Sequence, residues 1–135
     1  MWFLDTGYLI ALFSPRDTFH AKALQLQGLA QREQRVLATT DAVLFEVGAA
    51  FAKTGFRAVG IALIDTLLGD PQIRIHTITR ELRSRAIELF AQRPDKEWSR
   101  CDCLSFVVMR DNAIEAALTP DHHFAQAGFT ALMLS

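Results

Sequence analysis

Trp2-Phe3-Leu4-Asp5-Thr6-Gly7-Tyr8-Leu9-Ile10-Ala11-Leu12-Phe13 opens the chain with one charged side chain, Asp5, in an otherwise apolar and small-residue run. Residues 2–4 read as a short strand buried on both faces. A helical segment follows over 7–13, and Ser14-Pro15 stops it, because proline lacks an amide proton and restricts the residue before it. The same alternation recurs downstream. Asp17 is placed to cap a helix whose Phe19, Ala23, Leu26 and Ala30 recur at helical spacing. A second strand is expected over 36–38. Thr39-Thr40-Asp41 then forms a capping cluster before a mostly buried helix over 42–53. Gly55 and Gly60 interrupt ahead of a helix over 61–68, which Gly69-Asp70-Pro71 closes. Residues 73–78 alternate apolar and polar side chains as a third strand. Thr79 caps a charged helix over 81–92 that Pro94 ends, and Ser99 opens a helix to about Asp111. A strand over 115–118, a helical turn over 124–127 and a last strand over 131–134 complete the chain. Strands alternating with helices make an α/β fold with a parallel sheet covered on both faces. In that class ligands gather outside the carboxyl ends of the strands, where strand order reverses.

The length of 135 residues suits one domain, 1–135. Half the residues are apolar and 21% are charged, which excludes a disordered chain. The formal net charge is −1, so there is no bulk basic field, and any nucleic-acid surface must be local. Cys101 and Cys103 lie one residue apart, ill placed to bridge each other. They indicate a reduced, cytoplasmic compartment. The first residues lack the positive start and cleavage site of a signal peptide, and no apolar run is long enough to span a membrane.

Four acids stand in apolar company. Asp5 is the only charged residue between Met1 and Pro15, and Glu46 the only one between Ala42 and Ala52. Asp102 is alone from Cys101 to Met109, and Asp121 is the only acid from Ala116 to Ser135. The other acids lie mostly among arginines, glutamines and turn residues. Ionised side chains in apolar segments are costly unless something pairs with them. Each of the four also falls where a parallel sheet presents it to one edge. Asp5 follows the first strand, and Asp121 lies three residues after the fourth. Glu46 is in the second turn of the helix after strand two, and Asp102 in the first turn of the helix before strand four. Carboxylates gathered in one cleft repel each other, and a hard divalent cation relieves them. Mg2+ or Mn2+ so held activates water and stabilises charge on a phosphodiester.

Each acid also has a plain structural reading. Ser99 and Asp102 fit a capping box, Asp5 can cap the helix it precedes, and Asp121 can form an Asx turn. Glu46 has no lysine or arginine one turn away to neutralise it.

Taken together the motifs resemble the PIN-domain family over nearly the whole chain. Phe3-Leu4-Asp5-Thr6-Gly7 is similar to its opening strand and first acid. Thr40-Asp41-Ala42-Val43-Leu44-Phe45-Glu46 is similar to its second motif. Trp98-Ser99-Arg100-Cys101-Asp102-Cys103-Leu104-Ser105-Phe106 resembles the third, and Leu118-Thr119-Pro120-Asp121-His122-His123-Phe124 the fourth. The resemblance implies a three-layer α/β/α sandwich with strand order 3-2-1-4-5 and a metal-dependent ribonuclease. It is most similar to the VapC-type toxins of toxin–antitoxin pairs. Asp5, Glu46, Asp102 and Asp121 would then bind Mg2+ or Mn2+ and carry catalysis, with Thr6 and Ser99 as supporting hydroxyls. RNA would be the substrate and an antitoxin protein the partner. Asp41 and Arg100 depart from the family pattern, at positions where an uncharged amide and an apolar residue are expected.

Other readings fit less well. Asp5-Thr6-Gly7 matches the aspartic-protease signature, but those enzymes are all-β and helix follows here. Asp121-His122-His123 resembles the DHH phosphoesterases, which need a longer chain; here the histidines line the pocket rim or pack on Phe124. A receiver domain would need an aspartate after its third strand, where Thr77-Ile78-Thr79 stands. An inactive PIN-like binding module and a housekeeping RNA-processing nuclease are the alternatives within the family. Eight of the fourteen basic residues fall between Arg74 and Arg110, a candidate rim for an RNA backbone. Glu81, Glu88, Asp95 and Glu97 neutralise much of that charge. Trp98 is assigned to the core rather than to base stacking. Apolar helices over 19–29 and 61–68 suggest a homodimer.

Overall fold

β1 (Trp2–Leu4), β2 (Leu37–Thr40), β3 (Ile73–His76), β4 (Ala116–Leu118) and β5 (Thr130–Ala131) pair in parallel throughout. Their spatial order is β3-β2-β1-β4-β5, as expected. The computed structural model describes residues 1–53 and 55–135. Helices α1 (Thr6–Phe13), α2 (His20–Arg32), α3 (Asp41–Ala50), α4 (Arg57–Gly69), α5 (Arg80–Gln92), α6 (Arg100–Asp111) and α7 (His122–Gln126) pack around the sheet. The chain moves outward from β1 through β2 to β3, then returns to β1's other side for β4 and β5. The reversal therefore sits between β1 and β4, whose carboxyl ends form the crevice in which such sheets bind ligands.

β1 is central and its three side chains are buried, which explains its unbroken apolar run. On the β4 side, Phe106 from α6 meets Trp98 and Phe124 edge-on, at centroid separations of 5.1 and 5.0 Å. Phe3 lies 6.3 Å from Phe124. Edge-to-face pairs of this kind add about 0.5–1.5 kcal/mol each beyond area burial. Trp98 is in this core, with its indole N–H donating to Gln126 Oε1 at 3.0 Å.

Helix starts follow the capping residues where a hydroxyl is available. Thr40 accepts the Val43 amide proton at 3.3 Å and Thr79 that of Leu82 at 3.1 Å. Several expected boundaries move. Asp17 does not cap α2: its carboxylate accepts the Phe19 amide proton at 2.8 Å in a turn ahead of the helix, which begins at His20. β2 extends to Thr40, since Thr39 and Thr40 still pair with Ile75 and His76 of β3, and the fully buried Thr39 hydroxyl donates to the Leu4 carbonyl at 2.9 Å. β3 stops at His76, the last residue paired with β2. The helix expected over 42–53 ends at Ala50, with Phe51 turned inward as its C-cap.

Gly60 does not interrupt. It lies inside α4, where a Cβ would stand 2.7 Å from the Phe51 Cβ, so glycine lets α4 lie against the end of α3. The strand expected over 131–134 is also corrected. β5 is an edge strand of two residues, Thr130 and Ala131, paired with Ala116 and Ala117. The chain then curls into a 3-10 turn, Leu132–Leu134, in which the Met133 amide donates to the Thr119 carbonyl at 3.3 Å.

Candidate metal centre

A cleft of about 320 Å3 opens at the carboxyl edge of β1 and β4, lined by Asp5, Glu46, Glu97, Asp102, Asp121 and His123, with Thr6, Gly7, Ser99 and Pro120. All four acids singled out in the sequence are on that list of walls, as are Thr6 and Ser99. Among the described residues no lysine or arginine lines it.

Asp5 sits one residue past β1 at the N-cap of α1, yet its carboxylate makes no capping bond. It turns across the crevice, and Oδ2 accepts the Thr119 hydroxyl proton at 2.7 Å. The residue is 7% exposed. Burial pushes its carboxyl up to about 7; the Thr119 hydroxyl opposes the rise and the Asp102 and Glu46 carboxylates add to it. Gly7 permits the crevice to be this narrow, since a Cβ there would lie 2.8 Å from the Pro120 ring.

Glu46 reaches in from α3 and is exposed to the cleft. Its Oε1 accepts from the Thr6 hydroxyl at 2.6 Å and from the Cys101 thiol at 3.1 Å. Burial pushes the Cys101 thiol well above its usual range, and the Glu46 contact reinforces this, so it serves as a neutral donor.

Asp102 is held by the capping box read from the sequence. Ser99 Oγ accepts the Asp102 amide proton and Asp102 Oδ2 accepts the Ser99 amide proton, both at 3.0 Å. The box uses one carboxylate oxygen, and the other has no hydrogen-bond partner within the described residues. Burial raises this carboxyl too; the Ser99 amide opposes the rise, and Asp121 adds to it. The His123 ring stands between the last two acids, with Nδ1 3.0 Å from Asp102 Oδ2 and 3.3 Å from Asp121 Oδ1. Asp121 Oδ1 accepts the His123 amide proton at 2.8 Å, the Asx turn expected of it. The capping and Asx geometries therefore coexist with a shared cleft; they orient the carboxylates.

Carboxylate and hydroxyl oxygens facing one small cavity are a donor set for a hard cation such as Mg2+ or Mn2+. Burial is the main reason the Asp5 and Asp102 carboxyls are raised; the smaller like-charge contribution from neighbouring carboxylates is the part such a cation removes.

The profile of the PIN domain matches residues 2–130. The chain belongs to the PIN-domain family. It is 31% identical over 130 residues to the 23S rRNA-specific endonuclease VapC20 of Mycobacterium tuberculosis, in two strains, covering 96% of this chain and 95% of that protein. The crystal structure of that VapC20, described as a Sarcin-Ricin loop cleaving toxin, superposes with a TM-score of 0.87 and 27% identity. The superposition covers 97% of this chain and 98% of VapC20. The fold and the VapC-type kinship expected from the motifs are thus shown.

This PIN domain also uses residues that were not picked out from the sequence. Thr119, in the quoted fourth motif, bonds both Asp5 and the Asp121 amide. Its signal was a hydroxyl between an apolar strand and Pro-Asp. Cys101 and Glu97 carried no signal, because one looked like a helix residue and the other like part of a charged turn. The two atypical positions find local uses. Asp41 Oδ2 accepts the Ile78 amide proton at 3.4 Å, and the Arg100 guanidinium lies 5.6 Å from the Phe90 ring centre. The arginine-rich segment is partly spent on ion pairs: Arg85 grips Asp111 through two bonds of 2.6 and 2.8 Å, and Arg93 grips Asp95 at 3.0 Å. Arg74, Arg80 and Arg83 make no ion pair among the described residues.

Proposed function

We propose that this chain, read as one PIN unit over 1–135, is a Mg2+- or Mn2+-dependent endoribonuclease and the toxin of a toxin–antitoxin pair. The observation that carries the reading is the convergence of Asp5, Glu46, Asp102 and Asp121, from four separate elements, on one cleft with no lysine or arginine among the described residues of its walls. These four would hold the metal. Bound there, a hard cation lowers the pKa of a water and stabilises charge on the phosphodiester. The chain's own groups do the positioning. Thr119 fixes Asp5, Thr6 and Cys101 fix Glu46, and Ser99 fixes Asp102.

RNA as substrate rests on the likeness to VapC20, whose name gives it as an endonuclease of 23S rRNA. Structured ribosomal RNA is accordingly the first substrate class to test, with unpaired Arg74, Arg80 and Arg83 as phosphate contacts. An antitoxin protein and a second copy of the chain are the proposed partners. The exposed Phe45, Ile61 and Leu68 on α3 and α4 supply apolar surface for them. No helix among the described residues is long and apolar enough to cross a membrane, and the proposed compartment is the cytoplasm. The presence of all four acids favours catalysis over an inactive binding module.

Purified protein should cleave RNA with Mg2+ or Mn2+ and stop with chelator. Cleavage at full rate in excess EDTA overturns the metal mechanism. A short upstream gene encoding a DNA-binding N-terminus would separate the toxin from a housekeeping nuclease.

A further inference from the structure

Asp121, His122 and His123 each bring one ligand atom within 4.8 Å of the others. His123 Nδ1 lies 3.3 Å and His122 Nδ1 3.8 Å from the same oxygen, Asp121 Oδ1. The two rings stand 4.5 Å apart, tilted by 52°. At 3.8 Å the His122 contact is too long for a hydrogen bond. Two ligands of a tetrahedral cation, each about 2.0–2.2 Å from it, are separated by about 3.3 Å. The His123 spacing equals that value and the His122 spacing exceeds it by about half an ångström, which the exposed His122 side chain would have to close on binding. The His122 side chain is 69% exposed, so the approach from solvent is open.

We propose that Asp121, His122 and His123 form a second cation site at the rim of the cleft, taking a borderline transition ion such as Zn2+ in preference to Mg2+. Two imidazole nitrogens and one carboxylate suit zinc, whereas Mg2+ demands oxygen ligands. Three protein ligands leave a fourth position for water. The rim site differs in chemistry from the oxygen-lined cleft but shares Asp121 with it. An ion at the rim draws on Asp121 Oδ1 and competes for His123, whose Nδ1 otherwise faces Asp102 at 3.0 Å. Zinc is therefore an inhibitor of the Mg2+-supported reaction. That second half rests on the proposed nuclease reading; the binding half does not.

The test is calorimetric titration of the full chain with Zn2+ in excess Mg2+, paralleled by the visible spectrum of Co2+ as a zinc substitute. The parent should bind one equivalent, and His122→Ala should bind at least tenfold more weakly with an unchanged circular dichroism spectrum. Cys101→Ser should retain the equivalent, which separates the rim from the one thiol in contact with Glu46. Micromolar zinc should slow RNA cleavage by the parent and leave His122→Ala, normally active without zinc, uninhibited. No zinc uptake by the parent in excess Mg2+, equal affinity in His122→Ala, or loss of binding in Cys101→Ser each overturns the rim site. A parent that binds zinc through His122 yet cleaves no RNA supports the site and tells against the nuclease reading.

Discussion

Thr119 donates its hydroxyl proton to Oδ2 of Asp5 across 2.7 Å, joining two residues 114 positions apart in the sequence. The same hydroxyl oxygen accepts the Asp121 amide proton at 3.0 Å. One buried side chain thus sets the relative positions of the acid after β1 and the acid after β4. Replacing it by the isosteric valine strands both partners. Thr119→Val should lower stability by about 1–3 kcal/mol, the cost of leaving a buried polar group unpaired. Denaturant unfolding checks the loss, and Thr119→Ser should recover most of it. RNA cleavage by folded Thr119→Val should fall further than by Thr119→Ser.

The Asp102 box separates capping from catalysis. Ser99→Ala removes the hydroxyl that accepts the Asp102 amide proton and should cost on the order of 1 kcal/mol. Asp102→Asn keeps an oxygen able to accept the Ser99 amide proton, so its melting temperature should stay close to the parent's while metal-supported cleavage collapses. Parent-like cleavage by Asp102→Asn would leave that residue a cap and nothing more.

Asp5 predicts the pH dependence of the metal-free protein. Its carboxyl ordinarily titrates at 3.8, and in the fold it is pushed up to about 7, chiefly by burial. Between those values the folded chain holds a proton that the unfolded chain has released. The resulting stabilisation is complete below pH 4 and is lost as pH rises through 7. Asp102 is shifted in the same direction. Asp95 and Asp111, held down by their arginines, act oppositely, in a window below 3.8. Melting in EDTA should therefore be higher at pH 5 than at pH 8, and Asp5→Asn should shrink the difference. An unchanged difference in that variant would remove Asp5 as its source.

Metal linkage supplies a control within one protein. Without metal, Asp5→Asn should melt no lower than the parent, because it removes a charge from a repelling group and keeps an acceptor for Thr119. Mn2+ at a hundredfold excess over its dissociation constant should add about 2.7 kcal/mol to the parent. The variant should gain much less. If both proteins ignore Mn2+ and the variant is clearly destabilised, the four carboxylates do not form one metal site.

Much of this was legible along the chain, because it depends on local pattern. The apolar run Trp2–Leu4 reads as a buried strand, and four acids isolated in apolar segments are expensive wherever they lie. Hydroxyl caps at Thr40, Thr79 and Ser99 act within three residues, so their helix starts were readable. The sheet's order came with the family likeness, and the structure has it. What the linear chain left open depends on which groups meet across the sheet. Asp17 looks like a cap until its carboxylate is seen turned to the Phe19 amide. Gly60 looks like a breaker until Phe51 is found 2.7 Å from where its Cβ would be. The last strand ends at Ala131 because the chain then turns into a 3-10 segment held to the Thr119 carbonyl. Thr119 on Asp5, Cys101 on Glu46 and His123 between Asp102 and Asp121 are contacts spanning 114, 55 and 21 residues. Four of the acids that line the cleft stand out by their isolation in apolar sequence, and Glu97 does not. Which neighbours hold those charges, and how far burial moves their protons, is fixed only when β1 and β4 lie side by side.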